Sequence, residues 1–293
     1  MNLYYLLSIL SGALVSLMTM QNGVLTNRYG AYGSTVIIHI VGLILIACIM
    51  VFKRYHFMPE KKCPSWKYLG GVVGVATTAF SNIAFGKISL SAILALALLG
   101  QLLTSLTTDR FGLFGMPKHP FHKRKLIGIA FVAGGIMFMV PIQDITILLP
   151  IILSLLTGFT IVVNRTINAA LAEETNTFYS TLYNYITGLV TGIVLLLILG
   201  MNTAGAAPAN QPLWMYFGGA VGVIVVCLSN LIVVKISSVS MTLLTFIGQI
   251  FTGILLDALL TGAFSMVNLI GGFFVTAGLA INLFLDSKNK VSI

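Results

Sequence analysis

The sequence predicts an all-α integral membrane protein of ten transmembrane helices, arranged as two inverted-topology five-helix repeats. Three observations lead there. Of 293 residues, 58% are hydrophobic and 8% charged, whereas an ordinary soluble domain carries roughly 25% charged residues. The apolar residues fall into runs of about 20, the length that crosses a hydrocarbon core of about 30 Å. The second half of the chain also repeats the first, in register.

The runs, in order, are Leu3 to Leu25, Tyr32 to Phe52, Trp66 to Gly86, Ser91 to Asp109, Leu126 to Ile142, Thr146 to Leu171, Phe178 to Gly200, Trp214 to Val234, Val239 to Leu260 and Met266 to Leu285. The opening "MNLYYLLSILSGALVSLMTM" lacks a basic stretch, and its apolar run is too long for a signal peptide, so it is expected to be the first span. The loops between runs are too short for a soluble catalytic domain. Cys48, Cys63 and Cys227 follow no metal or redox spacing, and no metal or cofactor is expected.

The net charge of +9 is accounted for by the excess of Lys and Arg in cytoplasmic loops. With the N-terminus inside, Lys53, Arg54, Lys61, Lys62, Lys67, Arg110, Lys118, Lys123, Arg124, Lys125, Lys235, Lys288 and Lys290 fall on the cytoplasmic side; Arg28 and Lys87 fall outside. Both termini are therefore expected in the cytoplasm, and nucleic acid is not needed as a partner. The expected partners are the lipid bilayer and a small-molecule substrate, with the chain a monomer or a weak homodimer.

The repeat divides the chain into residues 1–143 and 144–293. Gly12, Asn22, Ser34 and Gly42 match Gly158, Asn168, Ser180 and Gly188 at a spacing of 146; Trp66, Tyr68, Gly70, Gly71, Gly74, Asn82 and Lys87 match Trp214, Tyr216, Gly218, Gly219, Gly222, Asn230 and Lys235 at 148. The 148 spacing also carries Gln101 onto Gln249 and Asp109 onto Asp257, and a spacing of 143 carries Gly128 and Gly135 onto Gly271 and Gly278. An odd number of crossings per copy makes the second copy enter the bilayer from the opposite side. Inverted halves of this kind exchange inward- and outward-open shapes, the architecture of alternating access.

"GALVSLMTMQNGVLTNRYG" and "LLGQLLTSLTTDRFGLFG" resemble the signature segments of the YdcZ-like inner-membrane exporters, a branch of the drug/metabolite transporter (DMT) superfamily, here as a tandem-fused form. The resemblance covers almost the whole chain. It implies a secondary transporter of a small metabolite or drug-like solute in a bacterial cytoplasmic membrane. Small multidrug relatives carry a Glu in their first helix; neither Leu3 to Leu25 nor Thr146 to Leu171 contains a carboxylate.

Polar stripes at helical spacing inside a membrane point to a bundle interior or a wet cavity. Thr242, Thr245, Gln249 and Thr252 share one helix face, repeated as Gln101, Thr104 and Thr108; Thr157, Thr160, Asn164 and Asn168 form another stripe, and Ser180, Asn184, Thr187 and Thr191 a third. Gln101, Gln249, Asn164, Asn168, Asn184 and Thr245 are the substrate-binding candidates, against the alternative that they only join helices. The equivalent first-half positions include Met18, Asn22, Ser34 and Ile38, which are less polar on balance, so the second half is expected to dominate the hydrogen bonding. Arg165 lies within a span, either reaching out toward Glu173 or Glu174 or recognising an anion. His39 and its partner Tyr185 read as a helix contact ahead of a proton relay.

Asp109 and Asp257 sit at helix C-terminal ends, where the macrodipole disfavours an anion. Side matching pairs Lys87 with Asp257 and Lys235 with Asp109, as an outer and an inner gate or as four separately solvated residues. No nucleophile with a base and no metal cluster is present for an enzyme. No charge ring marks a channel. The alternative to a carrier is a non-transporting scaffold or accessory subunit, which would be dry through its middle.

Overall fold

A computed structural model describes residues 3–55, 63–111, 125–140, 145–200 and 212–290, apart from 234, 237 and 263. Among them nine α-helices run in order: α1 Leu3–Phe52, α2 Gly70–Ala84, α3 Leu90–Phe111, α4 Lys125–Met139, α5 Leu148–Glu174, α6 Thr177–Leu199, α7 Gly218–Val233, α8 Ser238–Thr261 and α9 Met266–Lys290. Long apolar runs favour helix, because in lipid each backbone amide must find its partner within the segment, and Pro150 is tolerated in the first turn of α5.

The expected break between the first two spans is a single residue. α1 has 50 residues, about 75 Å at 1.5 Å per residue, more than twice a hydrocarbon core of about 30 Å. It bends at Gly30, whose φ of 71° and ψ of 170° are not helical. Glycine has no Cβ to oppose that conformation, so the chain turns there without a loop.

The runs opening at Trp66 and Trp214 differ from a plain helix. Each begins as a short 3-10 turn, Ser65–Leu69 after Pro64 and Leu213–Phe217 after Pro212, before the α-helix starts at Gly70 or Gly218. Proline cannot donate into a preceding turn and fixes its own φ, which sets the entry point.

Among the described residues, six helical stretches are long and apolar enough to cross a membrane: Leu3–Phe52, Leu90–Thr108, Ile145–Glu174, Thr177–Leu199, Leu213–Val233 and Ser240–Thr261. Ile127–Met139 and Met266–Ile281 are shorter apolar helices. Side chains such as Leu197, Leu259, Val190 and Phe273 are exposed. Lipid, which is as apolar as leucine, is the solvent such a surface fits.

The helices form two compact units, each drawing on both halves of the sequence. Unit 1 holds Met1–Ser16, Ala84–Phe159 and Ile236–Ile293; unit 2 holds Leu17–Ile83 and Thr160–Lys235. Within unit 1, Leu98, Val132, Phe246, Ile250 and Val275 form part of a core built from α3, α4, α8 and α9.

Glycines set the close crossings, and the crossings come in exchanged pairs. In unit 1 a Cβ on Gly135 would lie 2.6 Å from the Gly271 carbonyl oxygen, and one on Gly278 would lie 2.7 Å from that of Gly128. Rising numbers on α4 thus meet falling numbers on α9, so the two run antiparallel. Gly12 is as close to the Thr245 carbonyl and Gly248 to that of Ile9, while Gly158 approaches the Ala97 carbonyl and Gly100 that of Leu155. The first pair joins α1 to α8. The second, at the matching positions of the other repeat, joins α5 to α3.

Unit 2 shows the same exchange. Cβ atoms added to Gly42, Gly188 and Gly192 would meet Tyr185, His39 and Thr35 respectively, so the second arm of α1 crosses α6 antiparallel. His39 and Tyr185, 146 residues apart and equivalent in the repeat, face each other there with ring centroids 5.6 Å apart.

Candidate functional site

Most residues of the polar stripes face inward. Gln101, Thr104 and Thr108 on α3 are buried, as are Thr242, Thr245 and Gln249 on α8, and Thr157, Thr160, Asn168, Ser180 and Asn184 on α5 and α6; Asn164, Thr187, Thr191 and Thr252 are half-buried. In lipid an outward polar side chain costs free energy, so the stripes determine which face of each helix packs.

Unit 2 contains the densest polar cluster among these candidates. Asn164 Nδ2 donates to the Gly70 carbonyl at 2.6 Å and to Asn184 Oδ1 at 3.0 Å. Asn168 Nδ2 donates to Asn164 Oδ1 and to Asn184 Oδ1, both at 3.0 Å. Three side chains from α5 and α6 therefore share their amides and reach the first residue of α2. Ser180 Oγ extends the cluster by donating to the Asn168 carbonyl at 2.7 Å.

The approach needs glycine on α2. A Cβ on Gly70 would lie 2.1 Å from Asn168 Oδ1, and one on Gly74 would lie 3.0 Å from Asn164 Nδ2. The other repeat keeps this frame with different chemistry: Gly218 meets Asn22 Oδ1 at 2.0 Å, and Gly222 meets the Met18 sulfur at 3.2 Å. With Met18 and Ile38 standing where Asn164 and Asn184 stand, Asn22 Oδ1 is buried without a hydrogen-bond partner, as is the neighbouring Gln21 Oε1. The amide network is thus formed in the second-repeat copy, the half in which the sequence concentrates amides.

Arg165, on the same helix as Asn164, is 8% exposed. His39 Nδ1 donates to the Thr35 carbonyl at 2.7 Å, and Tyr185 donates its hydroxyl proton to the Gly219 carbonyl at 3.1 Å. The first bond lies within one helix, and the second joins α6 to α7.

In unit 1, Gln101, Gln249 and Thr245 line the glycine crossings. A Cβ on Gly158 would fall 2.6 Å from the Gln101 backbone nitrogen, and one on Gly12 would fall 2.9 Å from that of Gln249. The Thr245 hydroxyl is buried with no hydrogen-bond partner. The candidates therefore divide between the units, with Gln101, Gln249 and Thr245 in one and Asn164, Arg165, Asn168 and Asn184 in the other.

Asp257 differs from the gate expectation. Its Oδ1 accepts from the Leu90 backbone N–H at 2.8 Å and its Oδ2 from that of Ser91 at 2.9 Å. Those amides open α3, where unpaired N–H groups and the positive end of the macrodipole attract an anion. The carboxylate that sits unfavourably at its own helix end is thus neutralised by the start of another helix. Lys87 is exposed, whereas Lys67 forms an ion pair with Glu174. Lys235 is also exposed; the Asp109 side chain lies outside the described residues.

Sequence reasoning missed the Gly70 carbonyl and the backbone grip of Asp257. Backbone partners have no side-chain signature, although Gly70 recurring as Gly218 marked the close approach.

A family model described as "Putative inner membrane exporter, YdcZ" matches residues 3–138 and again residues 149–281. No curated protein matches the chain. One solved crystal structure of a protein aligns over 98% of this chain and 97% of its own length, with a TM-score of 0.62 and 14% identity, a likeness of fold alone.

Proposed function

Because the chain belongs to the YdcZ family of inner-membrane exporters in the DMT group, we propose that this membrane transporter is an alternating-access carrier of ten spans. Its two five-helix repeats, 1–143 and 144–293, are inverted, and both termini lie in the cytoplasm. It exports a small metabolite or drug-like solute. The observation that carries this reading is the antiparallel crossing of equivalent segments, the second arm of α1 with α6 and α4 with α9. Copies related by a twofold axis in the membrane plane run in opposite directions, and their contacts exchange partners as these do.

Splitting α1 at Gly30 supplies the additional helix that ten spans require. The Asn164, Asn168 and Asn184 cluster forms the polar part of the solute site, and Gln101 and Gln249 contribute from the second stripe. Amides that bond to one another exchange partners with a solute at small net cost, since membrane hydrogen bonds contribute about 0.6 kcal/mol each.

The test is flux in proteoliposomes of the full chain, using a solute selected from a metabolite library by thermal shift. Asn184→Leu is expected to abolish flux while the protein remains folded. Retained flux in Asn184→Leu, Asn164→Leu and Asn168→Leu together would remove the cluster from the solute site.

A further inference from the structure

The two ends of unit 2 are fastened by different chemistry at positions that the repeat makes equivalent. At the end where α5 finishes and α6 begins, Lys67 Nζ pairs with Glu174 Oε1 and also donates to the Ala170 carbonyl at 3.3 Å. The Lys67 side chain is only 13% exposed, and Glu174 is 43% exposed. Nζ stands 5.5 Å from the Trp66 ring centroid as well. The ammonium thus ties the entry to α2 onto the last turn of α5, where carbonyls and the negative end of the macrodipole attract a cation.

At the other repeat's equivalents this pair cannot form. Lys67 corresponds to Met215 at a spacing of 148, and Glu174 to Arg28 at 146. The next residue on each segment makes the bond: Tyr29 and Tyr216 place their hydroxyls 2.7 Å apart, with the Arg28 guanidinium 5.3 Å from the Tyr29 ring centroid. The two ties are at opposite ends of the unit, because α6 starts beside the first, the second arm of α1 starts beside the second, and those helices cross antiparallel. The amide cluster and the His39–Tyr185 crossing lie between them.

We propose that Lys67–Glu174 and Tyr29–Tyr216 are the two gates of the carrier, an ionic one at the end of α5 and a neutral one at Gly30. This rests on the carrier reading above and adds positioning residues to it. Both ties join segments of different repeats, so a change of access must break one of them at a time. The ionic gate alone responds to charge.

The experiment reads side-specific access and needs no solute. The full chain is reconstituted in vesicles with Cys48, Cys63 and Cys227 replaced by serine, and a membrane-impermeant maleimide labels one reporter at a time. Ser180→Cys, next to the Asn168 carbonyl, reports on the ionic end; Thr26→Cys, between Asn22 and Tyr29 on α1, reports on the neutral end. Glu174→Gln and Lys67→Met are expected to raise Ser180→Cys labelling from the Glu174 face about fivefold, the ratio that a partly exposed ion pair sustains. The same variants lower Thr26→Cys labelling from the opposite face, and Lys67→Arg, which keeps the cation at the end of α5, leaves both rates at their original values. A rise at both reporters would mean a loosened fold and would overturn the proposal, as would unchanged rates in Glu174→Gln and Lys67→Met. Thr181→Cys replaces the first reporter if Ser180→Cys does not fold. Gated labelling without flux of any library solute would leave the gates standing and reject the transport reading; flux without gated labelling would do the reverse.

Discussion

Asp257 illustrates how a residue that is unfavourable in its own helix becomes an asset in the fold. Its two charge-assisted bonds to the Leu90 and Ser91 amides have no protein replacement when the carboxylate is removed, and bonds to charged groups contribute about 1.5–3 kcal/mol each. Asp257→Ala is therefore expected to lower stability in detergent by at least about 1.5 kcal/mol, with Asp257→Asn intermediate; equilibrium unfolding followed by circular dichroism measures it. Cys63, in the loop before α2, gives a pH-dependent prediction. Burial and then the hydrogen bond to Glu174 push its thiol above the ordinary value, so the thiolate, which is the reactive form, is scarcer at any given pH. Alkylation by iodoacetamide at fixed pH should be slower than for a free thiol and should accelerate in Glu174→Gln. An unchanged rate would remove the carboxylate as a cause.

At the scale of the helix, much was legible. Among the described residues the long apolar runs are helical, because their length is written in the sequence, although the first two form the single bent α1. The ends were less legible: Pro64 and Pro212 impose 3-10 turns before α2 and α7, and Gly30 replaces an expected loop by a bend. The polar stripes gave most of the buried faces, since an outward polar side chain costs free energy in lipid. What the stripes did not give was the pairing, because Asn164 and Asn168 look alike in sequence whether they meet Asn184 or a solute. The glycine contacts define a direct comparison between two small residues on different crossings. A Cβ on Gly12 would fall on the Thr245 carbonyl, whereas one on Gly134 meets nothing within 4 Å. Gly12→Ala is expected to cost about 1–3 kcal/mol through overpacking, and Gly134→Ala to leave the melting temperature in detergent unchanged or slightly raised.

For the whole molecule, the repeat organises everything else. Family membership extends over both copies, 3–138 and 149–281. Each compact unit takes segments from both, so neither copy provides a unit by itself. The sequence displayed the copies plainly through spacings of 146 and 148 but could not display this interleaving, which depends on contacts between segments far apart in the chain. The two copies are alike in frame and unlike in chemistry: Gly70 and Gly218 each receive an asparagine, but Asn168 finds amide partners in Asn164 and Asn184, while the other copy has Met18 and Ile38 at those two positions. On the carrier reading proposed above, one framework serves two access states, and the amide network lies in one of its two copies.

The inverted relation of the copies is the claim on which this account depends, and Lys87 and Lys235 test it most directly, being exposed and equivalent at a spacing of 148. In vesicles of known orientation, with the native cysteines replaced by serine, Lys87→Cys and Lys235→Cys are labelled separately by an impermeant maleimide from each side. Inverted repeats predict labelling of Lys87→Cys from the outer face alone and of Lys235→Cys from the cytoplasmic face alone. Labelling of both from the same face would mean that the copies run in the same direction, and the alternating-access account would be contradicted.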